Sequence, residues 1–318
     1  VTAPALRESH VSRFSPRRMS ASTWRQRAHS IVCPDTPRLD GRSALVTGGS
    51  EGVGLGTCRG LLQRGARVWM ASRSAEKGER ACVRLRAELG SGAQVEFLPL
   101  DLSDLSRVGA FAADLANRLR GEPLDVLVCN AGLWPRRHRV SAQGHEMAFA
   151  TNVLGHFLLQ RLLVGRAIGA GARVVVVTGD IYILASECTP DFEYGSAFGG
   201  MLAYCRSKLG NIWIGRELQR RHPELVVRIA HPGVVATSLG GARRGLAEKI
   251  SRRLLLDADR GAQASLVCAT QSEPSPGAYL HNTLGVVHFS DGDPGADTAR
   301  AAELWERCEA LCRGHLPG

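Results

Sequence analysis

Tyr204 and Lys208 stand four residues apart in Leu202-Ala-Tyr-Cys-Arg-Ser-Lys-Leu209, the spacing that puts two side chains on one side of an α-helix. A tyrosine with its ordinary pKa of about 10 is a poor base at neutral pH. An ammonium beside it favours the phenolate and lowers that value. A phenol tuned in this way can hand a proton to a carbonyl oxygen or take one from an alcohol. Taken alone, the pair is more often a core tyrosine and a surface lysine, so the rest of the chain has to decide.

The elements that must position this pair follow a regular alternation. Ser43-Ala-Leu-Val-Thr-Gly-Gly49 reads as a buried strand running into a glycine turn, and Gly54 to Gln63 as a helix. Strands are expected at Arg67–Ala71, Val95–Leu100, Leu124–Cys129 and Val174–Val177, with helices at 75–89, 105–119 and 142–166 between them. Strands apolar throughout, alternating with helices, predict an α/β fold: one doubly wound parallel sheet with helices on both faces. The polar stretch Ser186–Gly200 breaks the alternation, and a loop of that length in a compact domain is usually functional. In the turn Thr47-Gly-Gly-Ser-Glu-Gly-Val-Gly54, Gly48, Gly52 and Gly54 allow a sharp bend and a close approach of backbone to a ligand. The following helix offers unpaired N–H groups and a positive dipole end, a seat for a pyrophosphate.

These motifs together resemble the short-chain dehydrogenase/reductase family. Thr47-Gly48-xxx-Gly52-x-Gly54 is similar to its TGxxxGxG signature, Asp101 to its adenine-contacting aspartate, Asn130-Ala131-Gly132 to its NAG motif, and Pro232-Gly233 with Thr237 to its PGxxxT. The segment around Tyr204 is most similar to the retinol-dehydrogenase-like branch. The resemblance spans about residues 40–313 and implies a Rossmann fold that binds a nicotinamide dinucleotide. It also implies hydride transfer between that cofactor and a carbonyl or alcohol. Cofactor contacts are expected from Gly48, Ser50, Glu51, Gly52, Val53, Gly54, Ser72, Arg73, Asp101, Leu102, Asn130, Ala131, Gly132, Tyr204, Lys208, Pro232, Gly233, Val235 and Thr237. The catalytic residues implied are Tyr204, Lys208 and Asn152, the last holding a relay water through its backbone. An oxidised nicotinamide would add to the ammonium's pull on the phenol.

Ser72-Arg73 ends the second strand, where an acidic side chain would suit NAD. A guanidinium there can grip the extra phosphate of NADP, so NADP(H) is expected and NAD(H) is the alternative, with Glu51 in the glycine turn as a mild objection. One family member is missing. The serine expected at the end of the fifth strand is replaced by Gly179 in Arg173-Val-Val-Val-Val-Thr-Gly-Asp180. Thr178, water or a substrate group could partly fill its role, while an ionised Asp180 would oppose charge growing on the substrate oxygen. The gap keeps a second reading open, a cofactor-binding sensor or scaffold with impaired turnover.

Trp134-Pro-Arg-Arg-His-Arg139 and a helix after Thr237 are expected to shape the substrate pocket. In that helix Leu246, Ile250 and Leu254 share a face, with Arg243, Arg244, Arg252 and Arg253 around them. The stripe suits a hydrophobic carbonyl or alcohol substrate and an anionic group near the arginines, though such a face is also simply solvated.

The chain has 318 residues, a formal net charge of +10 and 44% hydrophobic residues. That suits one domain over 41–318 preceded by a basic extension, 1–40, expected to be disordered. The first 40 residues hold seven arginines against three acids. This composition suits an organelle-targeting peptide, a functionless tail or, with only Phe14 and Trp24 as aromatics, a poor nucleic-acid arm. Met19 is a candidate translation start. Nucleic-acid binding is not expected, and neither is a membrane span, since the apolar runs are far short of the roughly 20 residues required. Nine scattered cysteines suggest buried thiols in a reducing, cytoplasmic setting, and the ten histidines show no metal-ligand spacing. Family members that pair through long helices imply a homodimer.

Overall fold

The computed structural model describes residues 8–10, 26, 28–236 and 255–316. Its strands are β1 (Glu8–His10), β2 (Ser43–Thr47), β3 (Arg67–Ser72), β4 (Val95–Pro99), β5 (Val126–Cys129), β6 (Arg173–Val177), β7 (Val226–His231), β8 (Tyr279–His281) and β9 (Gly285–His288). They form one sheet in the order β1-β9-β8-β7-β6-β5-β2-β3-β4. Neighbours run parallel except β8 and β9. From β2 the chain builds outward to β3 and β4, then returns past β2 to add β5 on its other side. That reversal opens a crevice beyond the carboxyl ends of β2 and β5, the place where such sheets bind ligands.

The α-helices are α1 (Gly52–Gln63), α2 (Ala75–Leu89), α3 (Leu105–Leu119), α4 (Gly155–Leu163), α5 (Gly199–Arg221), α6 (Ala258–Thr270) and α7 (Thr298–Cys312). Strand alternation divides the core between the two faces. Leu45, Leu127, Val174 and Val176 pack with residues of α3, α4, α5 and α7. Ala44, Val46, Val128 and Val175 pack with residues of α1, α2 and α6. Both faces are covered, so the interiors of β2, β5 and β6 are apolar at successive positions, Ala44–Val46, Val126–Val128 and Val174–Val177.

Three features differ from the sequence expectations. The helix expected over 142–166 is shorter, and its first part is a π-helical turn, Phe149–Leu154, that leads into α4. A Cβ on Gly155 would lie 2.1 Å from the Leu102 carbonyl oxygen, so this glycine lets the helix press against the turn after β4. The described parts of the segment expected to be a disordered extension lie against the domain. There, β1 pairs with β9, Gln26, Cys33 and Leu39 are buried, and Ile31 N–H donates to the Asn282 carbonyl at 2.7 Å. The sheet also continues through four strands that were not read from the sequence, one before β2 and three after β6. All nine cysteines are free and buried.

Candidate active site

The first turn of the crevice is built so that only glycine fits. Gly48 and Gly52 have φ of +65° and +57°. A Cβ on Gly48 would lie 2.8 Å from the Ala131 Cα, and one on Gly54 would lie 2.2 Å from the Gly48 carbonyl oxygen. Glu51 starts α1 without capping it through its side chain, whereas Ser74, Asp104, Asp257 and Asp297 cap their helices. The α1 N–H groups beside Ser50 and Val53 are thus left for an anion, which fits a pyrophosphate. At the end of β3 the Ser72 Oγ is buried with no hydrogen-bond partner, next to the exposed Arg73. Glu51 is paired with Lys77 at 3.1 Å, which answers much of the objection its charge raises to a phosphate. Asp101 Oδ1 receives the Ser103 N–H and hydroxyl at 3.0 and 2.7 Å, and Leu102 is buried beside it.

The second turn brings the chemistry together. Thr47 Oγ1 accepts from the N–H groups of Asn130 and Ala131, each at 3.0 Å, and the Asn130 amide returns a bond to the Thr47 carbonyl at 2.9 Å. A Cβ placed on Gly132 would lie 3.5 Å from both Asn152 Oδ1 and Lys208 Nζ. The Asn152 side chain is fully engaged. It accepts from Leu133 N–H at 2.8 Å and donates to the Leu133 carbonyl and to Ser207 Oγ at 3.0 and 2.9 Å. Lys208 Nζ donates to the Val177 carbonyl at 3.2 Å and lies 5.4 Å from the centre of the Tyr204 ring. Burial lowers the Lys208 pKa to about 8. Burial, with a smaller contribution from Cys205, raises the Tyr204 pKa above that of an ordinary phenol. Lys208 alone therefore does not bring the phenol down as expected, and Tyr204 keeps its proton at neutral pH. Trp134 lies flat against Tyr204, with ring centres 5.2 Å apart and planes within 2°.

Gly179, at the place of the expected serine, is extended at φ −158° and ψ 144°. Among the described residues, a Cβ there would meet only Ile181 Cγ2 and Lys208 Cγ, each at 4.0 Å. Thr178 does not substitute, because its hydroxyl is buried and donates to the Lys208 carbonyl at 2.8 Å. Asp180 is also turned to other partners, receiving Tyr279 OH at 2.7 Å and His281 Nε2 at 2.8 Å, with His231 Nε2 at 3.4 Å. These contacts outweigh its burial and hold the carboxyl down at about 2. Burial lowers His231 to about 4, so a carboxylate faces a neutral imidazole.

Asp180, His231 and His281 thus form a cluster that their wide spacing concealed, with potential ligand atoms within 4.8 Å of one another. The donor set argues against a metal. His281 Nδ1 accepts the N–H groups of Thr283 and Leu284 at 2.9 and 3.2 Å, so its proton sits on Nε2, the atom facing Asp180.

On the far side of the crevice, Pro232-Gly233 turns with Gly233 at φ +80°, followed by Val235. Thr237 and the expected lid helix lie outside the described residues. Two side chains hold this turn that sequence reading missed. Gln26 both donates to the Val234 carbonyl at 3.1 Å and accepts from its N–H at 3.0 Å. Asn282 donates to the Pro232 carbonyl at 2.7 Å. Partners 208 and 50 residues apart leave no local sequence signal. The expected functional loop is anchored by Tyr194 OH on buried Glu146 at 2.7 Å and by Arg206 on Glu187 at 2.9 Å.

Comparison with known proteins gives a consistent picture. A family model described as short chain dehydrogenase matches residues 42–245. Retinol dehydrogenase 14 of Mus musculus is 34% identical over 299 residues, covering 87% of each chain. Retinol dehydrogenase 12 of Homo sapiens is 34% identical over 95% of this chain and 96% of that one. Among solved structures, an uncharacterised protein from Mycobacterium paratuberculosis superposes with a TM-score of 0.71 at 31% identity, covering 91% of this chain and all of that one. A short chain dehydrogenase from Burkholderia cenocepacia J2315, solved in complex with NADP, gives a TM-score of 0.63 at 25% identity, covering 78% and 99%. None of the described helices is long and apolar enough to cross a membrane.

Proposed function

The chain belongs to the short-chain dehydrogenase family, in its retinol-dehydrogenase-like branch, and we propose that it is an NADP(H)-dependent oxidoreductase acting on a hydrophobic carbonyl or alcohol. Bound NADPH would supply the hydride. Gly48, Ser50, Glu51, Gly52, Val53 and Gly54 would seat the pyrophosphate, and Ser72 and Arg73 the extra phosphate. Asp101 and Leu102 would line the adenine side. Asn130, Ala131 and Gly132 would flank the ribose with Tyr204 and Lys208, and Pro232, Gly233, Val235 and Thr237 the nicotinamide. Tyr204 gives its proton to the substrate oxygen, Lys208 supplies positive charge beside it, and the Asn152 carbonyl belongs to the proton relay.

The observation that carries this reading is the convergence of buried Lys208 and Asn152 on Gly132, with Tyr204 stacked beneath Trp134. A phenol that holds its proton at pH 7 can give it to the carbonyl oxygen in the reductive direction. The relatedness to retinol dehydrogenases 12 and 14 supports an alcohol or aldehyde of the retinol class as the substrate. The test follows NADPH absorbance with a panel of hydrophobic aldehydes and ketones. Turnover is expected with at least one, and Tyr204→Phe should lower it by about 10²–10⁴-fold, the usual worth of a positioned acid. Cofactor binding without turnover on any carbonyl would overturn the reading. It would favour the sensor or scaffold alternative, which is motivated by Gly179 and by the engaged Thr178 hydroxyl.

A further inference from the structure

His156 is buried, 4% exposed, on α4, and has no part in the acid–base scheme above. Its Nε2 lies 2.8 Å from Thr47 Oγ1, and its Nδ1 lies 3.1 Å from the Asn152 backbone carbonyl oxygen. These contacts decide the tautomer. A carbonyl oxygen only accepts, so Nδ1 carries the hydrogen and Nε2 offers a lone pair. Burial lowers the imidazole to about 4, so it is neutral at pH 7 and carries one hydrogen.

Thr47 must then donate to His156, at 2.8 Å the nearer of the two acceptors its hydroxyl reaches, the other being the Val128 carbonyl at 3.3 Å, while its lone pairs take the Asn130 and Ala131 N–H groups, each at 3.0 Å. The result is a directed chain of bonds from the Asn130 turn, through Thr47 and His156, to the Asn152 carbonyl. The bond falls on a residue of the π-helical turn.

We infer that His156 is a positioning residue that ties the cofactor seat to the proton relay, setting the Asn130–Ala131 turn through Thr47 at one end and the Asn152 carbonyl at the other. This rests on the proposed oxidoreductase reading for its kinetic consequence, but the bond chain itself does not. Its two halves can be cut separately. Asparagine shares the branch that carries Nδ1, so His156→Asn keeps a donor for the Asn152 carbonyl and loses Thr47. Glutamine reaches toward the Nε2 position, so His156→Gln keeps an acceptor for Thr47 and loses the carbonyl. His156→Phe loses both.

The experiment measures the Kd for NADPH by calorimetry, kcat with the best carbonyl substrate of the panel, and the imidazole tautomer by nitrogen NMR of histidine-labelled protein. His156→Asn should weaken NADPH binding by about tenfold, the effect of one buried hydrogen bond, and change kcat less. His156→Gln should show the reverse split, and His156→Asn added to Thr47→Val should weaken NADPH binding little beyond Thr47→Val alone. The NMR signal missing from His156→Gln should report an Nδ1–H imidazole. An Nε2–H signal, or equal losses of Kd and kcat in all three variants in step with their melting temperatures, would overturn the inference. Should the wild type turn over no carbonyl, the oxidoreductase reading fails, and the NADPH-binding and NMR arms still decide the role of His156.

Discussion

At Gly179 a hydroxymethyl group has room among the described residues, since a Cβ would touch none of them closer than 4.0 Å and the backbone there is extended. The missing serine is therefore a chemical vacancy without a steric cause. Gly179→Ser should fold normally and raise kcat for carbonyl reduction by about 10²–10³-fold, the worth of one donor to a developing oxyanion. Steady-state kinetics on both proteins checks this, and an unchanged kcat would mean that another group already holds the substrate oxygen. Thr178 is not that group while its hydroxyl is spent on the Lys208 carbonyl. Nor does Asp180 press its charge on the substrate, because Tyr279 and His281 hold the carboxylate.

At the scale of elements, the PG turn after β7 is held from outside the catalytic helices. Gln26 makes a two-bond clasp with the Val234 backbone, and Asn282 holds Pro232 from the turn after β8. A segment before β2 thereby sets the side of the crevice proposed for the nicotinamide. Gln26→Ala removes the clasp and leaves the Val234 N–H and carbonyl to find new partners, a cost of about 1 kcal/mol. The expected result is weaker NADPH binding by roughly tenfold or more and a melting temperature lower by a few degrees, read by calorimetry and thermal unfolding. Unaltered affinity would show that the turn keeps its shape without Gln26.

At the scale of the whole molecule, acid should act through buried imidazoles. His156 and His231 have folded pKa values lowered to about 4, against 6.5 unperturbed, with burial the leading cause in each. Between those values the unfolded chain binds protons that the folded chain refuses, so stability rises with pH and falls as pH drops from 6.5 toward 4. His156 alone accounts for on the order of 3 kcal/mol over that range. Asp180 acts lower, since its depressed carboxyl adds stability that is lost as pH falls through about 2. Urea unfolding at pH 7 and pH 4.5 should show the loss, and His156→Gln should show a shallower dependence. Equal midpoints at the two pH values would mean the imidazoles are not held neutral.

Much of this was legible from local pattern. Apolar strands alternating with helices predict a two-sided parallel sheet, because a strand buried on both faces favours apolar residues at successive positions. Gly48, Gly52 and Gly54 announce a backbone that needs left-handed or crowded geometry, and Tyr204 with Lys208 announces a shared helix side. These signals span a few residues, and short-range geometry is all they need. What only the tertiary structure decided involves partners far apart in the chain. The engagement of Thr178, the Asp180–His231–His281 cluster, the Gln26 clasp and the Thr47–His156–Asn152 chain join residues that no spacing rule connects. Burial, too, is a property of the folded whole, and it sets the protons on Tyr204, Lys208 and His156 through the cost of charge in a dry interior.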